Sequence, residues 1–392
     1  MNRHILNTGV QYFINKNLKT DIMSVVLKGH GFPGVESKEL VQQIEAKEKC
    51  REKLPTWFNT PGIYYPNRLN IEQTSSEITA QYKVGIVTGN SLLDLTGGLG
   101  VDSYFFSHKI ARVVHCEIDP DLAEIAKHNF RVLGRTNIDT HVGDGLAHLF
   151  RSRPKPDWIF IDPSRRHNAK GKVFLLSDCL PNVPENLDLI LGGAGHIMIK
   201  TSPLLDISAG LKELRSVKEV YILSVKNEVK ELLWILRSGQ QGEIAIKTTN
   251  LLPSGEEVFN FFMSDEKRAI PHYSAPLAYL YEPNSAILKS GAFKLIGARY
   301  GLHKLHEHSH LYTGDAPISF PGRRFKIERQ LPFNKKAIQD LGIAKANITT
   351  RNFPLPVAEI KKRFKIRDGG PDYLFFTTDK NGKRIILKCS KA

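Results

Sequence analysis

Leu92-Leu93-Asp94-Leu95-Thr96-Gly97-Gly98-Leu99-Gly100 decides the fold of this chain. An apolar run ends in an acid and passes into a glycine-rich turn, the pattern of a buried strand that stops where the backbone bends tightly. Glycine is required there because a Cβ would block both the turn and the close approach of a ligand. About twenty residues on, Val113-Val114-His115-Cys116-Glu117-Ile118-Asp119-Pro120 reads as a second strand ending in acids, where a carboxylate can take the two hydroxyls of a ribose. A glycine turn followed by such an acid means a bound nucleoside.

The turn is not built for a dinucleotide. A pyrophosphate site needs G-x-G-x-x-G opening a helix, so that the phosphates meet the helix N-terminus. Here Asp94 stands in front of Thr96-Gly97-Gly98-Leu99-Gly100; an acid there repels a pyrophosphate and suits a cation such as the amino group of a methionine moiety. Two further strand ends carry motifs: Gly143-Asp144-Gly145, and Ile159-Phe160-Ile161-Asp162-Pro163-Ser164-Arg165-Arg166.

These four motifs, in this order, resemble the class I S-adenosylmethionine (SAM) methyltransferases. The resemblance implies a Rossmann-like α/β fold with a seven-stranded sheet. It also implies roles for the residues. Asp94, Thr96, Gly97, Gly98 and Gly100 would hold the methionine end, Glu117 the ribose and Ile118 the adenine. Asp144 would accept the adenine amine beside Gly145, and Asp162 would sit where cofactor and acceptor meet.

Asp162-Pro163-Ser164-Arg165-Arg166 departs from the family patterns. Amino-directed base methyltransferases place a second proline and an aromatic after the acid; here these positions hold Ser164 and Arg165. Uridine C5-methyltransferases resemble the arginine version, but need a cysteine nucleophile after the next strand, because C5 reacts only after covalent addition at C6. The matching stretch, Ile199-Lys200-Thr201-Ser202-Pro203, has none. Transfer to a nitrogen or oxygen lone pair is what remains, with Asp162 and Pro163 at the acceptor, Arg165 and Arg166 on phosphate and Lys200 assisting from the neighbouring strand.

The chain of 392 residues is long enough for several domains. A helical extension over 1–70 precedes a methyltransferase domain over 71–270, in which strands alternate with helices. In the extension, Trp57, Phe58, Tyr64 and Tyr65 read as packing aromatics. Gln73-Thr74-Ser75-Ser76-Glu77 opens a helix, and RNA-cap methyltransferases carry a similar segment that touches the cofactor. Near the end of the domain, 227–236 reads as a helix and 243–263 as a β-hairpin. A small connecting region, 271–320, holds the histidine-rich stretch Leu302–His310, which lacks a ligand pattern for a metal. A basic α+β domain closes the chain over 321–392.

Charge concentrates in that last domain. The whole chain carries a net +15, and residues 321–392 hold 18 Lys+Arg against 6 Asp+Glu, a net of +12. Such clustering is the footprint of a phosphate-backbone binder. Its densest part contains Lys361, Lys362, Arg363, Lys365 and Arg367, with Phe364 and Ile366 set to anchor the other side. The layout is similar to bacterial class I methyltransferases ending in a THUMP-like domain, and THUMP domains bind RNA. The expectation is a SAM-dependent RNA methyltransferase needing no metal. A protein or small-molecule acceptor, or a non-catalytic SAM- or RNA-binding protein, are the alternatives. Scattered Cys50, Cys116, Cys179 and Cys389 predict reduced thiols. No apolar run reaches the roughly eighteen residues of a membrane helix and Met1-Asn2-Arg3-His4 opens no signal peptide, so a cytoplasmic protein is expected.

Overall fold

The structure, a computed structural model, describes residues 1–28, 31–165 and 175–392. The chain divides into two units, Met1–Lys218 with Leu233–Gln241 and Glu219–Leu232 with Gly242–Ala392. In the first unit, parallel strands β1 (Ser91–Asp94), β2 (Arg112–Glu117), β3 (Ile138–Val142), β4 (Trp158–Ile161) and β5 (His196–Thr201) lie in the order β5-β4-β1-β2-β3. Leu92 sits in register between Val113 and Trp158. β4 is wholly apolar and β1 buries Leu92, Leu93 and Asp94, because helices cover a parallel sheet on both faces. Chain order reverses at β1, with β2 and β3 on one side and β4 and β5 on the other. Such a reversal opens a crevice beyond the C-terminal strand ends.

The amino-terminal residues build onto this sheet. Helices Ser37–Lys53, Pro55–Asn59 and Arg68–Gln73 contribute Leu40, Ile44, Trp57 and Ile71 to one core with Leu99, Tyr104, Ile125 and Phe130. Trp57, Tyr64 and Tyr65 are buried, as the packing reading expects. Two carboxamides clamp the extended backbone between them. Asn129 accepts from Tyr64 N and donates to Tyr64 O, both at 2.9 Å. Gln43 does the same for Tyr65, accepting at 3.0 Å and donating at 2.5 Å. Each satisfies main-chain groups that no strand pairs, which a buried connector requires.

An ion pair lies beneath this packing. Lys83, on helix Glu77–Ile86, is completely buried, with Nζ 3.0 Å from Asp102 Oδ1 and 3.2 Å from Ser75 Oγ. Ser75 in turn donates to Asp102 Oδ2 at 2.7 Å. Ser76, not Ser75, caps the helix by accepting from Thr79 N.

In the second unit, β6 (Val217–Val225, from Glu219 on) and β8 (Ala245–Leu252) are parallel, and β9 (Gly255–Phe262) returns antiparallel to β8. The helix expected over 227–236 is instead strand β7 (Glu228–Arg237), whose boundary between units falls at Leu232. Two observations explain the correction. Lys226 and Asn227 both take positive φ, +51° and +64°, the two-residue turn that reverses a strand into a hairpin. The run Glu231–Leu236 is buried throughout, so its helix-forming leucines have no solvent face to offer. From residue 175 on, the described chain makes a single 3₁₀ turn, Leu176–Asp178, followed by a short strand, Cys179–Leu180.

A second sheet carries the rest. Strands β10 (Tyr279–Pro283), β11 (His303–Lys304), β12 (Tyr312–Gly314), β13 (Gly322–Pro332), β14 (Asn347–Arg351), β15 (Tyr373–Thr378) and β16 (Arg384–Lys391) run in the order β11-β12-β10-β13-β16-β15-β14. Alternate residues of β15 and β16 feed two cores. Phe375 and Leu387 face Leu305 and Leu311, whereas Phe376 and Ile386 face Ile338 and Ile360 of the covering helices. The histidine-rich stretch thus flanks a sheet edge, and Leu305 and Leu311 anchor it there.

Replacing Lys83 by Met leaves Asp102 buried without its counter-charge. The expected cost in urea unfolding is about 3–5 kcal/mol, and the K83M/D102N double variant should lose less than the sum of the single losses.

Candidate functional site

The loop after β1 joins three strand ends. Gly97 N–H donates to Cys116 O at 2.7 Å and Gly98 N–H to Glu117 Oε2 at 2.7 Å, both on β2. Thr96 Oγ1 accepts from Asp162 N at 2.7 Å, just beyond β4. Glycine is needed for room at two of these positions. A Cβ on Gly97 would come within 2.1 Å of the His115 ring, and one on Gly145 within 2.3 Å of Leu95 O. Gly100 opens helix Val101–Phe106 in the left-handed region, φ +83°, directly over Phe130.

Asp94 is buried, 1% exposed, with Oδ1 accepting from Thr96 N at 3.0 Å and Oδ2 from Ser103 Oγ at 2.7 Å. Burial pushes its carboxyl up to about 7; Asp102 and Asp162 push the same way, against the bonds from Ser103 and Thr96. Among the described residues no cation pairs with it. Its two neighbours differ. Burial would also raise Asp102, but Lys83, Lys200 and the Ser75 hydroxyl outweigh that and hold it low. Asp162 is ion-paired with Lys200 of β5. The floor therefore has one carboxylate ready for a cationic ligand.

That floor belongs to a cavity of about 810 Å³. Asp94, Thr96, Gly97 and Gly98 line it, with Glu117 and Ile118 from β2. Asp144, Gly145 and Asp162 line it too. Ile118 is 73% exposed there, an apolar surface available to a flat ring. Glu117 is held by two backbone N–H groups, Gly98 and Asp119, the latter at 2.9 Å. Asp144 caps helix Gly145–Arg151 through Leu146 N. Gly100, Pro163 and Lys200 are not among its lining residues. Arg165 pairs its backbone with Cys179, and Arg166 lies outside the described residues.

The cavity also has a second wall that the sequence did not reveal. Asn70, Gln73 and Thr74 come from the amino-terminal helices, and Asn182, Glu185 and Asn186 precede helix Leu187–Gly193. Of these, only Gln73 and Thr74 lay in a segment singled out by sequence. Asp102 and Lys83 were also missed, because a lysine within an ordinary helical pattern reads as solvated.

The predicted cation cluster belongs to the other unit. Helix Val357–Phe364 buries Ile360, and Ile366 is buried beyond it. Phe364 packs beside that core, so the apolar side anchors as expected. Lys362, Arg363, Lys365 and Arg367 are exposed, whereas Lys361 is ion-paired with Asp368. All four cysteines are buried thiols, as expected of reduced residues. Among the described residues no helix is long and apolar enough to cross a membrane, and no His, Cys, Asp and Glu side chains gather to hold a metal ion.

A glycine cradle, a ribose-ready acid and a buried carboxylate lacking a cation fit the nucleoside and cationic parts of SAM, and define a class I methyltransferase site. Comparisons agree. Residues 279–321 match a ferredoxin-like domain model, and residues 322–391 a THUMP domain-like model. The crystal structure of a candidate methyltransferase from Porphyromonas gingivalis W83 is 33% identical over 97% of each chain, with a TM-score of 0.88. An uncharacterised SAM-dependent methyltransferase of Mycobacterium tuberculosis is 24% identical over 77% of this chain and 81% of its own length. An uncharacterised RNA methyltransferase of Lactococcus lactis is 26% identical over 119 residues, 30% of this chain and 25% of its own. The chain belongs to the bacterial class I SAM-dependent methyltransferases that end in a THUMP-like domain, and SAM is its cofactor.

Asp94 makes a signed prediction for the ligand-free protein. Its folded pKa lies above the ordinary carboxylate value, so the native state binds the extra proton and loses stability as pH rises from about 4 to about 7. Asp94→Asn should therefore raise the melting temperature at pH 8, with the gain shrinking towards pH 4 in thermal unfolding.

Proposed function

We propose that this methyltransferase acts on RNA, transferring a methyl group to a nitrogen or oxygen of a nucleotide. The observation that carries the reading is the pairing, in one chain, of the cavity with an exposed cationic surface on a THUMP-like domain. The Lactococcus lactis relative, named an RNA methyltransferase, supports it.

SAM, when bound, supplies a methyl group made electrophilic by its sulfonium. The residues then have separate tasks. Asp94 and the Thr96–Gly100 turn hold the methionyl end, Glu117 the ribose, Ile118 and Asp144 the adenine. Asp162, kept in place by Lys200 and by Thr96, orients the acceptor. Arg165 and Arg166 follow it in sequence and bind phosphate of the same strand. Lys362, Arg363, Lys365 and Arg367, with Lys361, hold RNA away from the reacting nucleotide through its backbone.

Methyl-labelled SAM incubated with total RNA from a bacterial strain lacking this gene should label the RNA, and Asp162→Ala should abolish labelling while binding SAM. Label in protein alone would overturn the reading. Because ionised Asp94 is the form that attracts a cation, SAM affinity by calorimetry should weaken as pH falls from 8 to 6. Asp94→Asn should bind weakly at both. Lys362→Glu, Lys365→Glu and Arg367→Glu together should leave SAM binding intact and weaken RNA retention on filters. Its salt dependence should flatten by a slope of about 2, from roughly 0.7 per single-strand phosphate contact.

A further inference from the structure

Two carboxylates lining the cavity, Asp162 and Glu185, differ in their partners. Asp162 has one oxygen committed to Lys200 and keeps the other. Glu185 is exposed, and its backbone N–H donates to Asn182 Oδ1 at 3.3 Å, which fixes the residue at the cavity wall. Among the described residues its carboxylate makes no hydrogen bond or ion pair. Asn182 is committed locally, because its Nδ2 also donates to Ser177 O at 3.2 Å. In the same cavity lining, the carboxamides of Asn70 and Gln73 make no side-chain hydrogen bond among the described residues.

The lining chemistry restricts the guest. An ionised carboxylate only accepts hydrogen bonds, whereas a carboxamide both donates and accepts. Two acceptor-only groups lining one cavity suit a donor with two hydrogens, which an amino group has and a ribose hydroxyl lacks. Asn70 and Gln73 can pair with ring nitrogens and carbonyls on the same flat edge. Leu180, on the same wall and 53% exposed, offers an apolar face for a ring. A nucleobase bearing an exocyclic amine meets all three demands; uracil, with no such amine, does not.

On the RNA reading above, we infer that Glu185 is a catalytic residue that receives the exocyclic amino group of an adenine, cytosine or guanine and takes its proton. The amine nitrogen's lone pair bonds to the methyl carbon, and the carbon–sulfur bonding pair stays on sulfur. The displaced N–H proton passes to a Glu185 carboxylate oxygen. Asp162 holds the second N–H, and its ion pair with Lys200 orients it.

The test uses the full chain, methyl-labelled SAM and total RNA from a strain lacking the gene, with the product digested to nucleosides. Label should appear in the base of adenosine, cytidine or guanosine. Glu185→Gln should slow single-turnover transfer by about 100-fold or more, as for loss of a general base, with SAM affinity and RNA retention unchanged. Glu185→Asp should recover part of the rate. Label in uridine or in a ribose, or wild-type transfer by Glu185→Gln, overturns the role of Glu185 and leaves the RNA reading standing. Absence of label from RNA with the wild-type protein overturns both.

Discussion

Everything at the site depends on how closely the backbone after β1 approaches the ends of β2 and β4. Gly97 rests on the His115 ring with no space for a side-chain carbon, and Gly98 N–H and Thr96 Oγ1 reach Glu117 and the Asp162 main chain. One loop therefore sets three carboxylate-bearing residues at once: Asp94, Glu117 and Asp162. Any residue with a Cβ at Gly97 would push the loop off β2 and misplace all three. Hydrogen bonds from fixed backbone groups achieve this with little side-chain freedom left to lose.

The electrostatic arrangement follows from the same packing. Three carboxylates, the buried Asp94 and Asp102 and the part-exposed Asp162, act on one another in a region supplied with two lysines. Lys83 and Lys200 match Asp102 and Asp162. Asp94 is left with neutral donors only, and its raised proton affinity is the consequence. On the reading proposed above, a cationic cofactor completes the balance. Lys83 and Ser75 carry a further load. They tie the segment just after Gln73-Thr74 to Asp102 through buried contacts.

The amino-terminal residues belong to the catalytic unit in a physical sense. Their apolar side chains share a core with the helices after β1 and β2, and Asn129 and Gln43 bond their backbone directly. The cavity consequently has walls from both ends of the unit's sequence. In the second unit, the two segments matched by separate family models contribute strands to one sheet, through the pairing of β10 with β13.

Sequence by itself determined the parallel strands, the glycine turn and the acids at their ends. Those features are local: a strand end with a tight turn needs glycine, and a buried parallel strand needs an unbroken apolar run. The apolar side of the basic cluster was legible for the same reason, since Phe364 and Ile366 alternate with its cations. Tertiary structure alone decided the rest. Lys83 reads as a surface residue until helix Glu77–Ile86 is laid against Asp102, and Asn70 and Glu185 share a wall although 115 positions separate them. The strand Glu228–Arg237 was misread because its leucines favour a helix in isolation. The positive-φ turn at Lys226-Asn227 and burial of the run override that preference, and neither is a property of the segment alone.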